Sequence, residues 1–569
     1  MSVLVIDVGT TGLRAAVVRN DGSVAHLNYE LCSPTSPFAG LVEFDALAMR
    51  DAVLRVANKT LAQAGKVDAV GITTQRASTV VWDANTGLPI GPSLSWQDLR
   101  TVGECITAKI EHNLTLAPNQ TATKASWMLK NYPIPAGADI RIGTVDTWVA
   151  HVLSNGALHV TDHSNAAVTG LLDPLTQSWS KRSLSLMGVD ESMLPTVVTS
   201  SGVIGNATAL DGAPPIASMV GDQQGSLIGQ GCIEPGKTKI TFGTGGMLDI
   251  FTGSAAPTSA QRSTGGTFPI VAYSDAHSMN WGAEAIMLSA GTNIDWLCND
   301  MHLIDTPQQS HDVAAQCEST DGVVYVPALL GLGTPRWDYG ARGSLFGITR
   351  GTSRSHIVRA VLEGIAHRGT DLIEAAETDS GLTTTTVRID GGMSKNPTFV
   401  QALANASQRT IEVSPVTEAT TLGAAFLAGV AVGTWKSLSD AVSTWSPAVV
   451  VSGYDYYAEA VAQYAEGAAF PALLCVGFDM STNAIVQTTG LAWLCDQELT
   501  FTHGQLPAHE AMRYVVRLVH DLATQGAYDR ALELPGLHAD EVVVVTPSPD
   551  QGTVNARLVT GKEAINSAP

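Results

Sequence analysis

Basic residues are in short supply. The chain of 569 residues carries 32 Lys and Arg against 53 Asp and Glu, a net charge of −21. That balance argues against a nucleic-acid surface or an anionic-membrane surface and leaves room only for a local phosphate site. Cysteine is sparse as well: there are seven, and none forms a Cys-x-x-Cys pair. An odd, unpaired set excludes a disulfide frame and a zinc site and fits reduced thiols in a cytoplasmic protein. No apolar run is long enough to span a bilayer, and the opening has no basic and apolar leader regions. The Asn-x-Ser/Thr matches at Asn58, Asn113 and Asn206 are then chance. What is present is globular: 45% hydrophobic and 15% charged residues, in a length that suits about three or four ordinary domains.

The chain is organised around its opening stretch. Val3 to Ile6 reads as a buried strand ended by Asp7, and Leu13 to Val18 as its return strand. Between them, Gly9-Thr10-Thr11-Gly12 is a turn that small, flexible residues permit. Such a turn aims backbone N–H groups, two hydroxyls and the Arg14 guanidinium at one spot, which makes an anion cradle. Asp7 at its edge suits a cation, Mg²⁺, between phosphate oxygens. An ordinary Gly-Thr hairpin with a solvated Asp explains this stretch equally well on its own.

Further along, Asp45 to Ala64 has helical periodicity, and Val67 to Ile72 is a buried strand running into Thr73-Thr74-Gln75-Arg76-Ala77-Ser78-Thr79. Polar loops at strand C-termini are where open α/β sheets place ligand groups. Trp96 lies beside Gln97, Asp98 and Arg100, an unusual grouping for a core. Thr121 to Asn131 reads as a helix, and Ile142 to Trp148 as the opening of another. Thr161 to Ala166 reads as a polar loop, with His163 as a structural or rim histidine. Ile216 to Val220 reads as a strand ending in the loop Gly221-Asp222-Gln223-Gln224-Gly225. The opening pattern then recurs: Lys237 to Phe242, a Gly243-Thr244-Gly245-Gly246 turn, and Met247 to Phe251. The repetition predicts an internal duplication, two related α/β lobes with a cleft between them. In the second lobe, Ile286 to Leu297 reads as an apolar helix, Gly322 to Leu329 as a strand and Ser355 to Ala375 as a long helix. Thr386 to Ile389 is a strand entering Asp390-Gly391-Gly392, with Asn396 or Ser394 as cap before Pro397. There a purine has access to bare backbone. Thr421 to Gly429 reads as a helix with a small-residue face, and Tyr454 to Phe470 as an amphipathic helix. Beyond Pro471 the character changes. Apolar segments, a helix over Ala508 to Thr524 and a strand over Glu541 to Thr546 suggest a structural or interaction appendage. His503, Glu510 and His520 there have no ligand spacing.

Taken together, Asp7-Val8-Gly9-Thr10-Thr11, Gly71-Ile72-Thr73-Thr74-Gln75-Arg76, Gly143 to Trp148, Gly221-Asp222-Gln223-Gln224, Gly243-Thr244-Gly245, Gly331 to Pro335, Ala341-Arg342-Gly343 and Asp390-Gly391-Gly392 resemble the FGGY carbohydrate kinases, most closely the glycerol kinases. They fall in the family order over residues 2 to 465. One Gly-rich loop is weak evidence, whereas the ordered set is specific. The resemblance implies an α/β fold of two actin-like (ribonuclease H-like) lobes around an ATP cleft. The expected division is 1–234 for acceptor and phosphate, 235–470 for nucleotide, and 471–569 as a small α/β appendage of unknown role. It implies ATP and Mg²⁺ as cofactors, a small polyol or sugar as acceptor, and admits a homodimer or homotetramer. Residue by residue, Asp7 matches the metal-associated carboxylate. Thr10, Thr11 and Arg14 match the first phosphate loop, and Thr244 the second. Gly291, Asp295, Gly392 and Asn396 match nucleotide contacts. Gln75, Arg76, Ala77, Trp96, Asn119, Gln223 and Met247 match the acceptor wall, and Asp222 the general base. Phosphoryl transfer to a hydroxyl needs a carboxylate of that kind.

Four of these positions depart from the glycerol-kinase pattern: Ala77 replaces a Glu, Asn119 a Tyr, Met247 an aromatic and Asp295 a Gln. Losing a carboxylate that accepts substrate O–H bonds costs roughly 1–3 kcal/mol per hydroxyl left unpaired. A four- or five-carbon polyol or ketose is therefore expected over glycerol. Two other readings stay open: a glycerol kinase with a rebuilt pocket, and a non-catalytic actin-like ATP-binding regulator.

Overall fold

The computed structural model describes residues 1–173, 175–259, 261–416 and 419–453, together with six strands between 475 and 560. β1 (Ser2–Val8) is buried from its second residue onward. It is hydrogen-bonded antiparallel to β2 (Gly12–Arg19), which pairs with β3 (Val24–Leu31). α1 (Ala46–Ala64) starts where Asp45 accepts the amides of Leu47 and Ala48, and it ends at Gly65 with φ +76°. Its apolar stripe (Met49, Val53, Val56) covers one face of the sheet. β4 (Ala69–Thr74) runs parallel to β1 and is wholly buried, as a strand covered on both faces must be. β5 (Ser201–Asn206) and β6 (Pro215–Gly221) complete a six-stranded sheet of order β5-β6-β4-β1-β2-β3. α2 (Asp222–Gly229) follows β6 directly.

The second half repeats this plan. β7 (Thr238–Phe242), β8 (Gly246–Gly253), β9 (Phe268–Ser274) and β10 (Met279–Met287) precede α3 (Gly291–Asn299). α4 (Arg354–Ser380) fills the core below the sheet. β11 (Thr386–Asp390), α5 (Pro397–Ser407) and β12 (Thr410–Val413) come next, then α6 (Ala419–Ala431) and β13 (Val449–Val451). The order β9-β10-β8-β7-β11-β12-β13 contains the run β10-β8-β7-β11-β12, the counterpart of β3-β2-β1-β4-β6. Parallel pairing of β7 with β11 repeats that of β1 with β4. The duplication expected from the two Gly-Thr turns is present as topology.

The halves exchange helices. α6 lies on the first sheet, with Leu422, Ala425 and Phe426 against Val3, Val5 and Val220. α2 leans on the second, where Ser226 Oγ donates to Asp390 Oδ2 at 3.0 Å. The two helices cross at glycines. A Cβ on Gly423 would overlap the Gly225 carbonyl, and one on Gly229 would overlap that of Ala419.

Several sequence expectations are corrected. Ile286 to Leu297 is not one helix: β10 runs to Met287 and α3 begins at Gly291. A continuous buried apolar run does not distinguish strand from helix by periodicity. Gly221 to Gly225 is not a loop. Asp222 opens α2, where a carboxylate favours the helix N-terminus; Gly225 lies against α6 at the Thr420 carbonyl, and Gly221 leaves room for the Arg76 side chain. Thr161 to Ala166 is a short strand and one helical turn capped by Asp162. The strand expected over Gly322 to Leu329 shrinks to Val324–Val326. The long helix extends beyond Ser355 to Ala375 at both ends.

Past residue 453, Cys475–Asp479 pairs with Ala484–Thr489, and a four-stranded sheet contains Leu499–Phe501, Gly504–Leu506, Glu541–Pro547 and Val554–Thr560. The expected helices over 454–470 and 508–524, with His503, Glu510 and His520, lie outside the described residues. Among the described residues, no helix is long and apolar enough to cross a membrane.

Candidate active site

Asp7 and Arg14 are register partners on β1 and β2, with the Arg14 Nε 3.8 Å from the carboxylate. Asp7 is buried, and burial lifts its pKa to about 6 although Arg14 opposes the shift and nearby Asp222 adds to it. From α6, Thr421 donates to Asp7 at 3.5 Å. The turn beyond closes with the Gly9 amide on the Gly12 carbonyl at 3.0 Å. Thr11 is exposed on it, and the Thr10 hydroxyl accepts from Trp96 Nε1 at 2.9 Å. Gln75 ties the same turn down by donating to the Gly9 carbonyl at 3.2 Å. Its own oxygen accepts from Ser78, whose hydroxyl accepts the Trp96 amide. Gln75 and Trp96 are thus stitched to the first Gly-Thr turn.

The equivalent turn of the second half leaves Thr244 exposed. α3 begins on it: the Ala290 amide donates to the Thr244 carbonyl at 2.9 Å and the Gly291 amide to Gly243 at 2.8 Å. A Cβ on Gly291 would come within 2.6 Å of the Gly243 carbonyl, so bare backbone is required there.

Arg76 leaves the end of β4 and meets Asp222 at the start of α2, with Nε 3.4 Å from Oδ1. Its Nη2 donates to Glu284 of β10 at 2.6 Å. Burial raises the Asp222 pKa, with Arg76 opposing. Glu284 is raised for the same reason, again against Arg76. Gln223 accepts from Lys239 Nζ at 2.6 Å, and Lys239 also pairs with Asp249 at 2.7 Å. Glu284, Lys239 and Asp249 were not singled out from the sequence. The signal was there: each is the one charged residue of a strand whose remaining residues are apolar or uncharged.

Other positions stand differently. Ala77 is buried in the left-handed region at φ +63°, with its carbonyl accepting from Thr121 at 3.2 Å. Asn119 is exposed and gives its carbonyl to the buried Lys124 at 2.8 Å. Burial lowers the Lys124 pKa to about 7. Met247 is half-buried on β8, and Asp295 is exposed on α3. Gly392 is exposed with open space where a Cβ would be; the constrained glycine is Gly391, at φ +88° and tight against Phe242. Asn396 caps α5 through Phe399 and donates to Ser310 at 2.9 Å, so both ends of its amide are engaged. His163 Nδ1 lies 3.0 Å from Ser274 Oγ of the other half, a structural placement.

Among the described residues, no group of three metal-ligating side chains exists. A protein-only cage is therefore not what Asp7 belongs to. One carboxylate beside a phosphate-type turn fits Mg²⁺, which keeps waters and takes the remaining ligands from phosphate.

Solved structures with a similar fold are found among sugar kinases. A glycerol kinase from Plasmodium falciparum with ADP is 30% identical, over 82% of this chain and 97% of that one, with a TM-score of 0.74. A xylulose kinase from Lactobacillus acidophilus is 22% identical over 82% and 96%, at TM-score 0.71. A gluconate kinase from the same organism is 22% identical over 82% and 95%, at 0.70. At that identity the last two show the fold alone. The model of the FGGY N-terminal domain matches residues 2–229 and that of the C-terminal domain residues 238–432. With both matches in order on two actin-like halves, the chain belongs to the FGGY family of carbohydrate kinases.

Proposed function

We propose that this carbohydrate kinase transfers the γ-phosphoryl group of ATP to a hydroxyl of a four- or five-carbon polyol or ketose, with Asp222 as general base. The observation that carries the reading is the Asp222–Arg76 pair. A carboxylate opens a helix between the two halves, held by a guanidinium that is itself fixed from the far side. Asp222 accepts the proton of the attacking hydroxyl as the oxygen becomes nucleophilic. Arg76 Nη1 is buried with no hydrogen-bond partner in the protein, which leaves a donor for an acceptor oxygen. Thr10, Thr11, Arg14 and Thr244 donate to phosphate oxygens from the two turns, and Gly291, Gly392, Asp295 and Asn396 face the nucleotide. Asp7 would hold Mg²⁺, which when bound supplies positive charge to the phosphoryl group. We assign the acceptor and phosphate roles to residues 1–234 and the nucleotide role to 235–470. A small polar acceptor is then enclosed between the halves, which keeps water from competing as nucleophile.

The preference over glycerol rests on the missing carboxylate at Ala77 and on Asn119 in place of Tyr. Resemblance to the Plasmodium falciparum glycerol kinase favours the second reading, a glycerol kinase with a rebuilt pocket. ADP release with Mg²⁺-ATP across glycerol, erythritol, ribitol and D-xylulose separates them. The proposal expects one longer acceptor well above glycerol. Equal kcat/KM for glycerol and the best longer acceptor would favour the second reading. No stimulation by any acceptor, with ATP still bound, would leave a non-catalytic regulator.

A further inference from the structure

Register places three buried charges side by side across the second sheet. Lys239 of β7 is opposite Asp249 of β8, and Asp249 is opposite Glu284 of β10. Directly opposed residues point to one face. On the outer side the row continues through Arg388, which pairs with Glu412 at 2.9 Å and so closes that end. Buried charges persist only where partners and hydrogen bonds hold them. Here the inner end is held by the other half of the molecule. Lys239 donates to Gln223 and Glu284 accepts from Arg76, both at 2.6 Å.

We propose that Glu284 and Lys239 are positioning residues of the acceptor site, and that together they fix which way its polar groups face. The assignment rests on the kinase reading above. A lysine ammonium has no acceptor, so the Gln223 atom facing it is the carbonyl oxygen, and the Gln223 Nε2 is turned the other way as a donor. Glu284 takes Arg76 Nη2 and leaves Nη1 as the second donor. Asp249 supplies the countercharge that keeps Lys239 in place. The wall then offers two outward donors and one carboxylate, Asp222. Its complement is an uncharged polyhydroxyl compound whose neighbouring oxygens accept two hydrogen bonds while one hydroxyl donates to Asp222. Because Arg76 and Gln223 come from the first half and their holders from the second, the wall is complete only with the halves apposed.

The test compares steady-state KM for ATP and for the best acceptor among glycerol, erythritol, ribitol and D-xylulose. Two variants are used: Glu284→Gln, and the charge-balanced double variant Lys239→Met/Asp249→Leu. Replacing a buried pair by apolar groups of similar volume is commonly neutral for folding, so the double variant guards against simple unfolding. The expected result is an acceptor KM raised about tenfold or more in each, with the ATP KM within about twofold. Unchanged acceptor KM in the folded double variant, or an equal rise in both KM values, would overturn the assignment while leaving the kinase reading intact. No acceptor-stimulated turnover by the unmodified protein would overturn the kinase reading, and the assignment with it.

Discussion

Gly229→Ala is the most informative single change in the helix crossing that carries Asp222. The new methyl would overlap the Ala419 carbonyl and sit 2.8 Å from the Gly423 amide nitrogen. Ordinary contact begins at 3.4 Å; relieving the Gly423 contact alone takes ~0.6 Å, and the closer overlap with the Ala419 carbonyl requires α2 and α6 to part by about 1 Å or more. Alanine gains about 1 kcal/mol of helix propensity over glycine. Forcing backbone apart in a packed site costs about 1–3 kcal/mol or more, and here it prevails. With so close an overlap the cost lies at the upper end, ~3 kcal/mol, so the net loss is about 2 kcal/mol, read as a Tm fall of ~4–8 °C. Activity should suffer more. Asp222 opens the displaced helix and meets Arg76 at 3.4 Å, already the outer edge of contact. A misplacement near 1 Å costs about 100-fold in rate. Acceptor-dependent ADP release should therefore drop by roughly that factor in kcat while ATP still binds. Gly103→Ala is the control: its Cβ meets nothing within 4 Å in the helix Val102–His112. It should be neutral or stabilising by about 0.5–1 kcal/mol. Wild-type kcat in Gly229→Ala would refute the view that this crossing sets the position of Asp222.

Other outcomes follow from the same geometry. Burial holds the Asp222 pKa above the ordinary carboxylate value. The base is competent when deprotonated, so kcat/KM should fall as pH drops through that raised value, and Asp222→Glu should move the acid limb; an unchanged limb would point to another group. Ala77→Gly relieves a left-handed residue at φ +63° and should raise stability by about 0.5–1 kcal/mol by thermal melt. Trp96→Phe removes the bond to Thr10. It should weaken acceptor and ATP use together, because the acceptor wall and the first phosphate turn share that contact; a change in the acceptor KM alone would separate them.

Much of this was legible from residues. Two Gly-Thr turns, each between short apolar runs, predicted the duplicated halves, and sheet order bears that out. Asp7 and Arg14 were read together from the first turn; Gln75, Arg76, Trp96 and Asp222 lie in segments that stood out locally, with roles that came from the family resemblance, and the fold brings Gln75 to Trp96 and Arg76 to Asp222. What stayed hidden was register. Lys239, Asp249 and Glu284 are spread over 46 residues and become neighbours only because three strands align them. Glycines misled at Gly221 to Gly225: Gly221 precedes α2 and makes room for Arg76, and at Gly225 helix-breaking propensity yields to the close crossing with α6. Buried strands misled at Ile286 to Leu297, where apolar residues on both faces erase the period that separates strand from helix. After β11, Gly391 rather than Gly392 is the position that needs glycine, a distinction set by φ and by the Phe242 backbone.

Asp222, as proposed, takes the proton of the acceptor hydroxyl. Asp222→Asn tests it most directly, because it keeps shape and removes the base. Turnover with the best acceptor and ATP binding should be measured on the same preparation. Acceptor-dependent ADP release should fall to the basal level, with the nucleotide Kd within about threefold of the unmodified protein. Acceptor-dependent turnover retained in Asp222→Asn would contradict that role.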